Sequence, residues 1–137
     1  TYFNLGLHTS QIDNIKTVEK VRTKLKDRFL LVVDPIAVGA TKYRTSIIRD
    51  VLIKCKPNII KGNVSEIHYL DTEVFSGKGV DSNVNAFNEN THIIMVAKKV
   101  ALKYNCVVVV TAKNDIIVSP FSSDVGIINF DLPILTK

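Results

Sequence analysis

Apolar residues in this chain follow two different spacings. Short, almost wholly apolar runs alternate with longer segments in which apolar residues recur every three or four positions. The short runs are typical of strands buried in a sheet, and the three-to-four spacing is typical of helices with one buried face. Strands are predicted over Tyr2–Leu7, Phe29–Val33, Asn58–Ile60 and Cys106–Val110, and helices over Asn14–Asp27, Thr45–Lys54, Val64–Leu70 and Thr91–Tyr104.

Two further apolar runs close the pattern. Ile116–Val118 and Val125–Ile128 flank Pro120–Ser123, which predicts a hairpin at an edge of the sheet. Glu73–Asn85 is rich in glycine, serine and asparagine and predicts a surface loop. Since strands and helices alternate, we expect parallel strands joined by right-handed crossovers, with helices on both faces. The expected fold is one three-layer α/β/α domain over residues 1–137 with a mostly parallel sheet.

Composition narrows the class of protein. The 137 residues are 46% hydrophobic and 23% charged, which is typical of a soluble globular domain. No apolar run approaches the roughly 20 residues that a membrane span needs, so we expect no membrane partner. Cys55 and Cys106 lack metal-ligand spacing and are expected to be buried free thiols, which favours the cytoplasm.

The basic residues are numerous but scattered. Eighteen lysines and arginines against 13 acidic residues give a net charge of +5, which suits an anionic partner. Acidic residues interrupt the basic ones in the predicted helix Asn14–Asp27, so a solvated helix face is favoured over a nucleic-acid interface. His8, His68 and His92 are dispersed and are interpreted as surface residues without a shared role.

Two acidic residues lie where predicted strands end. Asp34 follows Phe29–Val33, and Glu66 lies in the first turn of the helix that follows the next strand. The carboxyl ends of parallel strands meet at one edge of a sheet, where ligands bind in open α/β folds. Such a carboxylate pair could organise Mg²⁺ through its bound water, although Asp34 could equally cap a local turn.

The residues around Glu66 are compatible with a phosphate site. Lys61 offers a positive charge, Gly62 permits close backbone approach, and Asn63 could orient metal-bound water. Asn63 and Glu66 also fit a helix capping box, which is an equally good explanation of that pair. Thr111 ends another strand and could reach a phosphate, but local packing is the simpler interpretation.

A further candidate precedes the predicted helix Thr45–Lys54. Gly39, Ala40 and Thr41 could present backbone N–H groups to an anion at the start of that helix. The stretch lacks the G-x-x-x-x-G-K-[S/T] pattern of a P-loop.

Several of these stretches resemble, in order, the motifs of the hydroxyethylthiazole kinases, which belong to the ribokinase-like superfamily. They are Asn4-Leu5-Gly6, Asp34-Pro35 with Gly39-Ala40-Thr41 and Arg44, Ile60-Lys61-Gly62-Asn63 with Ser65-Glu66-Ile67, Lys78-Gly79-Val80-Asp81-Ser82, and Val108-Val109-Val110-Thr111 with Asp115. Any one of them is weak evidence, but five in the right order are specific.

The resemblance implies a fold, a reaction and roles for individual residues. The family transfers the γ-phosphoryl group of ATP to the hydroxyl of 4-methyl-5-(2-hydroxyethyl)thiazole for thiamine synthesis and forms trimers. It implies Asp34 and Glu66 as Mg²⁺ residues, and Lys61, Asn63 and Thr111 as ATP-binding residues.

Three departures from the family pattern qualify that expectation. Ala112 replaces the glycine that usually follows the threonine, and Ala37 and Val38 alter the small residues before Gly39. Leu132–Lys137 resembles the stretch that precedes the family's glycine-rich catalytic turn. By comparison with the family, the chain is expected to be incomplete at both ends. It is therefore expected to hold no catalytic residue and to be inactive alone. The alternative is a non-catalytic homologue that serves as a binding or assembly module. A related sugar or pyrimidine kinase is disfavoured by the Asp34–Thr41 stretch.

Overall fold

The computed structural model describes residues 2–4, 11–25, 28–74 and 86–129. Within them, six strands form one sheet and four helices pack against it. The strands are β1 (Tyr2–Asn4), β2 (Val32–Asp34), β3 (Ile59–Asn63), β4 (Val107–Thr111), β5 (Asn114–Val118) and β6 (Val125–Asn129). The helices are α1 (Gln11–Leu25), α2 (Lys42–Cys55), α3 (Val64–Thr72) and α4 (Ala86–Tyr104).

All predicted elements are present, but several boundaries differ. Helix α2 begins at Lys42 rather than Thr45, because the Thr41 side chain caps it by accepting from the Arg44 N–H. Strand β3 continues through Asn63, so the residues expected to follow it are part of the strand. Residues 1, 5–10, 26–27, 75–85 and 130–137 lie outside the described residues, and with them most of the predicted loop and the motifs at 78–82 and 132–137.

The strands follow one another across the sheet in the order in which they occur in the chain. Strands β1 to β4 are parallel, and β4, β5 and β6 are antiparallel. The mostly parallel sheet and the hairpin at its edge are therefore confirmed. No described helix has the length and apolar character that crossing a membrane requires.

Only one face of the sheet is fully buried. Val33, Ile60, Val108 and Val118 lie side by side in register across four strands, and each is at most 1% exposed. They form one cluster with apolar residues of all four helices. Their neighbours on the opposite face, such as Val109, are half-buried.

Within the described residues, the helices pack against one face of the sheet. Each right-handed crossover between the parallel strands advances in the same direction across the sheet, so all crossover helices lie on the same face. The described residues thus form two of the three expected layers. The same geometry explains why Val32 is half-buried, although its apolar run is typical of a buried strand.

Both cysteines are buried free thiols, as predicted. Burial raises the pKa of the Cys106 thiol to about 12 and also raises the pKa of Cys55. The folded state therefore retains protons that the unfolded thiols release near pH 9.

We expect the free energy of unfolding to fall as pH rises from about 9 to 12, by up to about 1.4 kcal/mol per pH unit for the Cys106 thiol. Cys106→Ala should flatten this slope, because alanine has no proton to lose. Urea unfolding of both proteins across that range measures the slopes. Equal slopes would contradict the assignment to Cys106.

Candidate functional site

Strand β3 ends in a reciprocal cap that starts α3. The Asn63 side chain accepts from the Glu66 N–H at 2.9 Å, and Glu66 Oε2 accepts from the Asn63 N–H at 2.8 Å. A β-carbon at Gly62 would lie 3.0 Å from that same Oε2. Glycine at this position therefore lets the carboxylate fold back over the end of the strand.

The Glu66 carboxylate also reaches the neighbouring strand end. Its Oε1 accepts from the Ala37 N–H at 2.9 Å, in the loop that follows β2. One side chain thus joins the ends of β2 and β3 at the same edge of the sheet. The capping box that was the alternative explanation for Asn63 and Glu66 is present.

The loop between β2 and α2 is held by hydrogen bonds along its length. The Val38 N–H donates to Pro35 O at 3.0 Å, and the Ala40 N–H donates to Ala37 O at 3.1 Å. The Gly39 N–H donates to Thr45 Oγ1 at 3.0 Å. These internal bonds give the loop one defined shape.

Side chains of α2 complete the support of this loop. The Thr45 hydroxyl donates to Thr41 O at 2.9 Å. The residue as a whole is 7% exposed, so this hydroxyl is buried beneath the loop. The Arg44 guanidinium donates to Ile36 O at 3.1 Å.

Gly39 is the tightest point of the loop. Its φ is +88°, and a β-carbon there would lie 2.5 Å from Cδ2 of the Tyr69 ring. Ala37 also has a positive φ of 53°, a conformation that costs a non-glycine residue about 1–2 kcal/mol. Its bond to Glu66 offsets part of that cost.

The remaining predicted site residues lie on the open face of the sheet. Lys61 pairs with Val109, and Asn63 pairs with Thr111, so these four positions share a face. Continuing the β2–β3 register by one residue sets Asp34 beside Lys61. The Thr111 hydroxyl donates to Gly62 O at 3.3 Å, which fixes it against the end of β3.

The structure therefore gathers most of the predicted residues at one edge. Asp34, Lys61, Asn63, Glu66 and Thr111 lie at or near the carboxyl ends of β2, β3 and β4. The candidates Gly39, Ala40 and Thr41 precede α2 at the same edge, with the Gly39 and Ala40 amides bonded within the protein.

A metal at this edge of the sheet would have few protein ligands. Among the residues that the structure describes, no group of three or more histidine, cysteine or acidic side chains could enclose an ion. Mg²⁺ needs only one or two carboxylates, because it keeps several waters and binds substrate phosphates. Each Glu66 oxygen accepts one backbone N–H and retains capacity for a second donor such as water.

Thr45 and Tyr69 support the site and were not predicted from the sequence. A signal for Thr45 was available, because it precedes Ile48 and Leu52 at helical spacing and so lies on the buried stripe of α2. The Tyr69 contact depends on the packing of α3 under the loop, which no local pattern encodes.

Comparison with known proteins places this geometry in context. Residues 3–131 match the hydroxyethylthiazole kinase family. The chain is similar to the hydroxyethylthiazole kinase of Staphylococcus carnosus, with 35% identity over 80% of this chain and 37% of that protein. It is also similar to the hydroxyethylthiazole kinase of Clostridioides difficile, with 40% identity over 83% of this chain and 42% of that protein. The chain thus spans less than half the length of these curated relatives.

A solved structure matches the fold. The hydroxyethylthiazole kinase protein from Pyrococcus horikoshii OT3 superposes with a TM-score of 0.66 and 23% sequence identity. The match covers 85% of this chain and 40% of that one. The described sheet and helices therefore correspond to part of a larger domain of the ribokinase-like fold.

Proposed function

Because the chain belongs to the hydroxyethylthiazole kinase family, we propose that it supplies the Mg²⁺–ATP part of a site that phosphorylates 4-methyl-5-(2-hydroxyethyl)thiazole. The observation that carries the proposal is that Glu66 joins the start of α3, at the end of β3, to the loop that follows β2, all at one edge of the sheet. Helix starts favour phosphate because their first N–H groups point outward and the helix dipole is positive there.

Two carboxylates would hold the metal. Asp34 and Glu66 would bind hydrated Mg²⁺, which supplies neutralisation of charge on the phosphate oxygens. Glu66 has a second task in this proposal, since the same carboxylate fixes the loop that begins at Ala37. Asp34 lies at the end of β2, next to the start of that loop.

Three residues would contact the nucleotide phosphates. Lys61 lies on the open face of β3 and would place its ammonium group against them. Thr111 and Asn63 are paired in register across β3 and β4, and they would place polar groups at the same edge of the sheet. Phosphoryl transfer depends mainly on such positioning and charge stabilisation.

The loop before α2 would shape the site. Because the Gly39 and Ala40 amides bond within the protein, the anion would meet the first turn of α2 after the Thr41 cap. The loop itself would form one side of the site, fixed by its hydrogen bonds to the Thr45 and Glu66 side chains.

We further propose that the chain acts in the cytoplasm as a homo-oligomer. The buried free thiols Cys55 and Cys106 support a reducing compartment. Half-buried apolar residues on the open face of the sheet support association, because such a face is stabilised when it is covered.

Lys61→Ala is expected to weaken Mg²⁺–ATP binding by about ten-fold, or about 1.4 kcal/mol, because it removes the proposed charge contact with phosphate. Isothermal titration of the chain with ATP and Mg²⁺ measures the effect. Lys54→Ala is the control, since Lys54 is exposed and pairs with Asp50 near the far end of α2.

Equal losses in the two variants would show general electrostatic attraction and contradict a phosphate site at Lys61. The reaction itself is tested on the natural protein as isolated from its source, by ³¹P NMR with ATP, Mg²⁺ and the thiazole alcohol. Absence of the phosphate ester would overturn the proposed activity.

A further inference from the structure

The structure brings together two histidines that the sequence left apart. His68 on α3 and His92 on α4 have ring centres 6.2 Å apart, with an angle of 31° between the ring planes. Both rings line a small pocket whose other walls are apolar, formed by Val64, Ile67, Ile93, Val96 and Val110. His92 is exposed and His68 is half-buried, so the pair opens to water on one side.

Thr72 orients the His68 ring. The Thr72 hydroxyl donates its hydrogen to His68 O at 3.1 Å, and the same oxygen lies 3.4 Å from His68 Nδ1. With that hydrogen bonded to His68 O, the contact with Nδ1 is a hydrogen bond only in the tautomer that carries a proton on Nδ1. This tautomer leaves the Nε2 lone pair of His68 as the available ligand.

The separation of the rings suits one shared cation. When one Zn²⁺ joins two imidazole rings in a nearly straight line, the ring centres are separated by two Zn–N bonds of about 2.0–2.1 Å and half the width of each ring. The total distance between ring centres is then about 6 Å. A small rotation of the exposed His92 side chain shortens the span toward tetrahedral geometry. Metal-binding histidines usually donate their other ring N–H to an oxygen, and in the tautomer protonated at Nδ1 His68 would donate to Thr72 Oγ1 in this way.

We propose that His68 and His92 form a site for a borderline-soft divalent cation, with Zn²⁺ as the best fit. Water would complete the coordination, because the described residues contain no group of three or more histidine, cysteine or acidic ligands. Such a site is exchangeable. Hard Mg²⁺ prefers oxygen ligands, so this site is distinct from the one proposed at Asp34 and Glu66.

Bound Zn²⁺ links α3 to α4. Helix α3 begins at the cap formed by Asn63 and Glu66. The cation therefore stabilises the helix that carries this cap. Binding only to the folded state raises the unfolding temperature with increasing Zn²⁺.

Titration of the 137-residue chain with Zn²⁺ near neutral pH tests the site. We expect one Zn²⁺ per chain, and a Kd at least about ten-fold weaker in His68→Ala and in His92→Ala. His8→Ala removes the third histidine and is the matched control, with binding unchanged. Thr72→Val should fall between the wild type and the histidine variants.

Two further readouts keep the test decisive. Zn²⁺ should shift the ring ¹⁵N signals of His68 and His92 but not those of His8, and it should raise the Tm of the wild type but not of His68→Ala. Mg²⁺ should do neither. Zn²⁺ binding that survives both histidine substitutions, or that depends equally on His8, would overturn the proposal.

Discussion

Gly39→Ala is expected to lower the free energy of unfolding by about 2–5 kcal/mol. A φ of +88° costs alanine about 1–2 kcal/mol. The new β-carbon would also lie 2.5 Å from the Tyr69 ring, and relieving such an overlap costs about 1–3 kcal/mol. Urea unfolding measures the total.

A second substitution separates the two costs. In a Tyr69→Ala background the overlap is gone, so Gly39→Ala should cost only the backbone part, about 1–2 kcal/mol. Gly126→Ala is the control, because a β-carbon there meets Ile117 at an ordinary 3.4 Å. It should change stability by less than about 1 kcal/mol in either direction. A Gly39 variant as stable as the Gly126 variant would show that the loop is not shaped as described.

Glu66→Ala is expected to lower the free energy of unfolding by about 2–4 kcal/mol without any nucleotide present. The change removes two charge-assisted hydrogen bonds and leaves the Ala37 and Asn63 N–H groups without their acceptor. Glu66→Gln should cost less, because its amide oxygen still accepts one of these N–H groups. Ser65→Ala, an exposed neighbour in the same helical turn, should stay within about 0.5 kcal/mol of the wild type.

The same variants separate the two roles of Glu66. If the carboxylate only fixes the loop, Glu66→Gln should bind ATP with the same dependence on Mg²⁺ as the wild type. If it also organises the metal, that dependence should weaken beyond what the stability loss explains. A Glu66→Ala protein as stable as Ser65→Ala would contradict the structural role.

The sequence predicted the elements of this fold because each has a local signal. The valine run at Val107–Val110 and the helical spacing of Val96, Ala97 and Val100 identify β4 and α4 without any knowledge of their neighbours. The end of β3 was placed too early, because Lys61-Gly62-Asn63 has low strand propensity. Pairing with β4 outweighs that propensity.

The candidate site was predictable only in part. Convergence of the residues around Asp34 and Glu66 follows from parallel strands, which end at one edge. The bond from Ala37 to Glu66, the Tyr69 ring beneath Gly39 and the pairing of His68 with His92 depend on how helices pack on the sheet. Those contacts join residues far apart in sequence, so no local pattern indicates them.

The matching order of strands in the chain and in the sheet has a consequence for how the protein folds. Among the described strands, each from β2 onward pairs with the strand synthesised just before it, so these pairings do not wait for a later segment. This keeps contact order low for a parallel sheet and limits the loop entropy of each step. The described strands are therefore suited to join the sheet in the order in which they are synthesised.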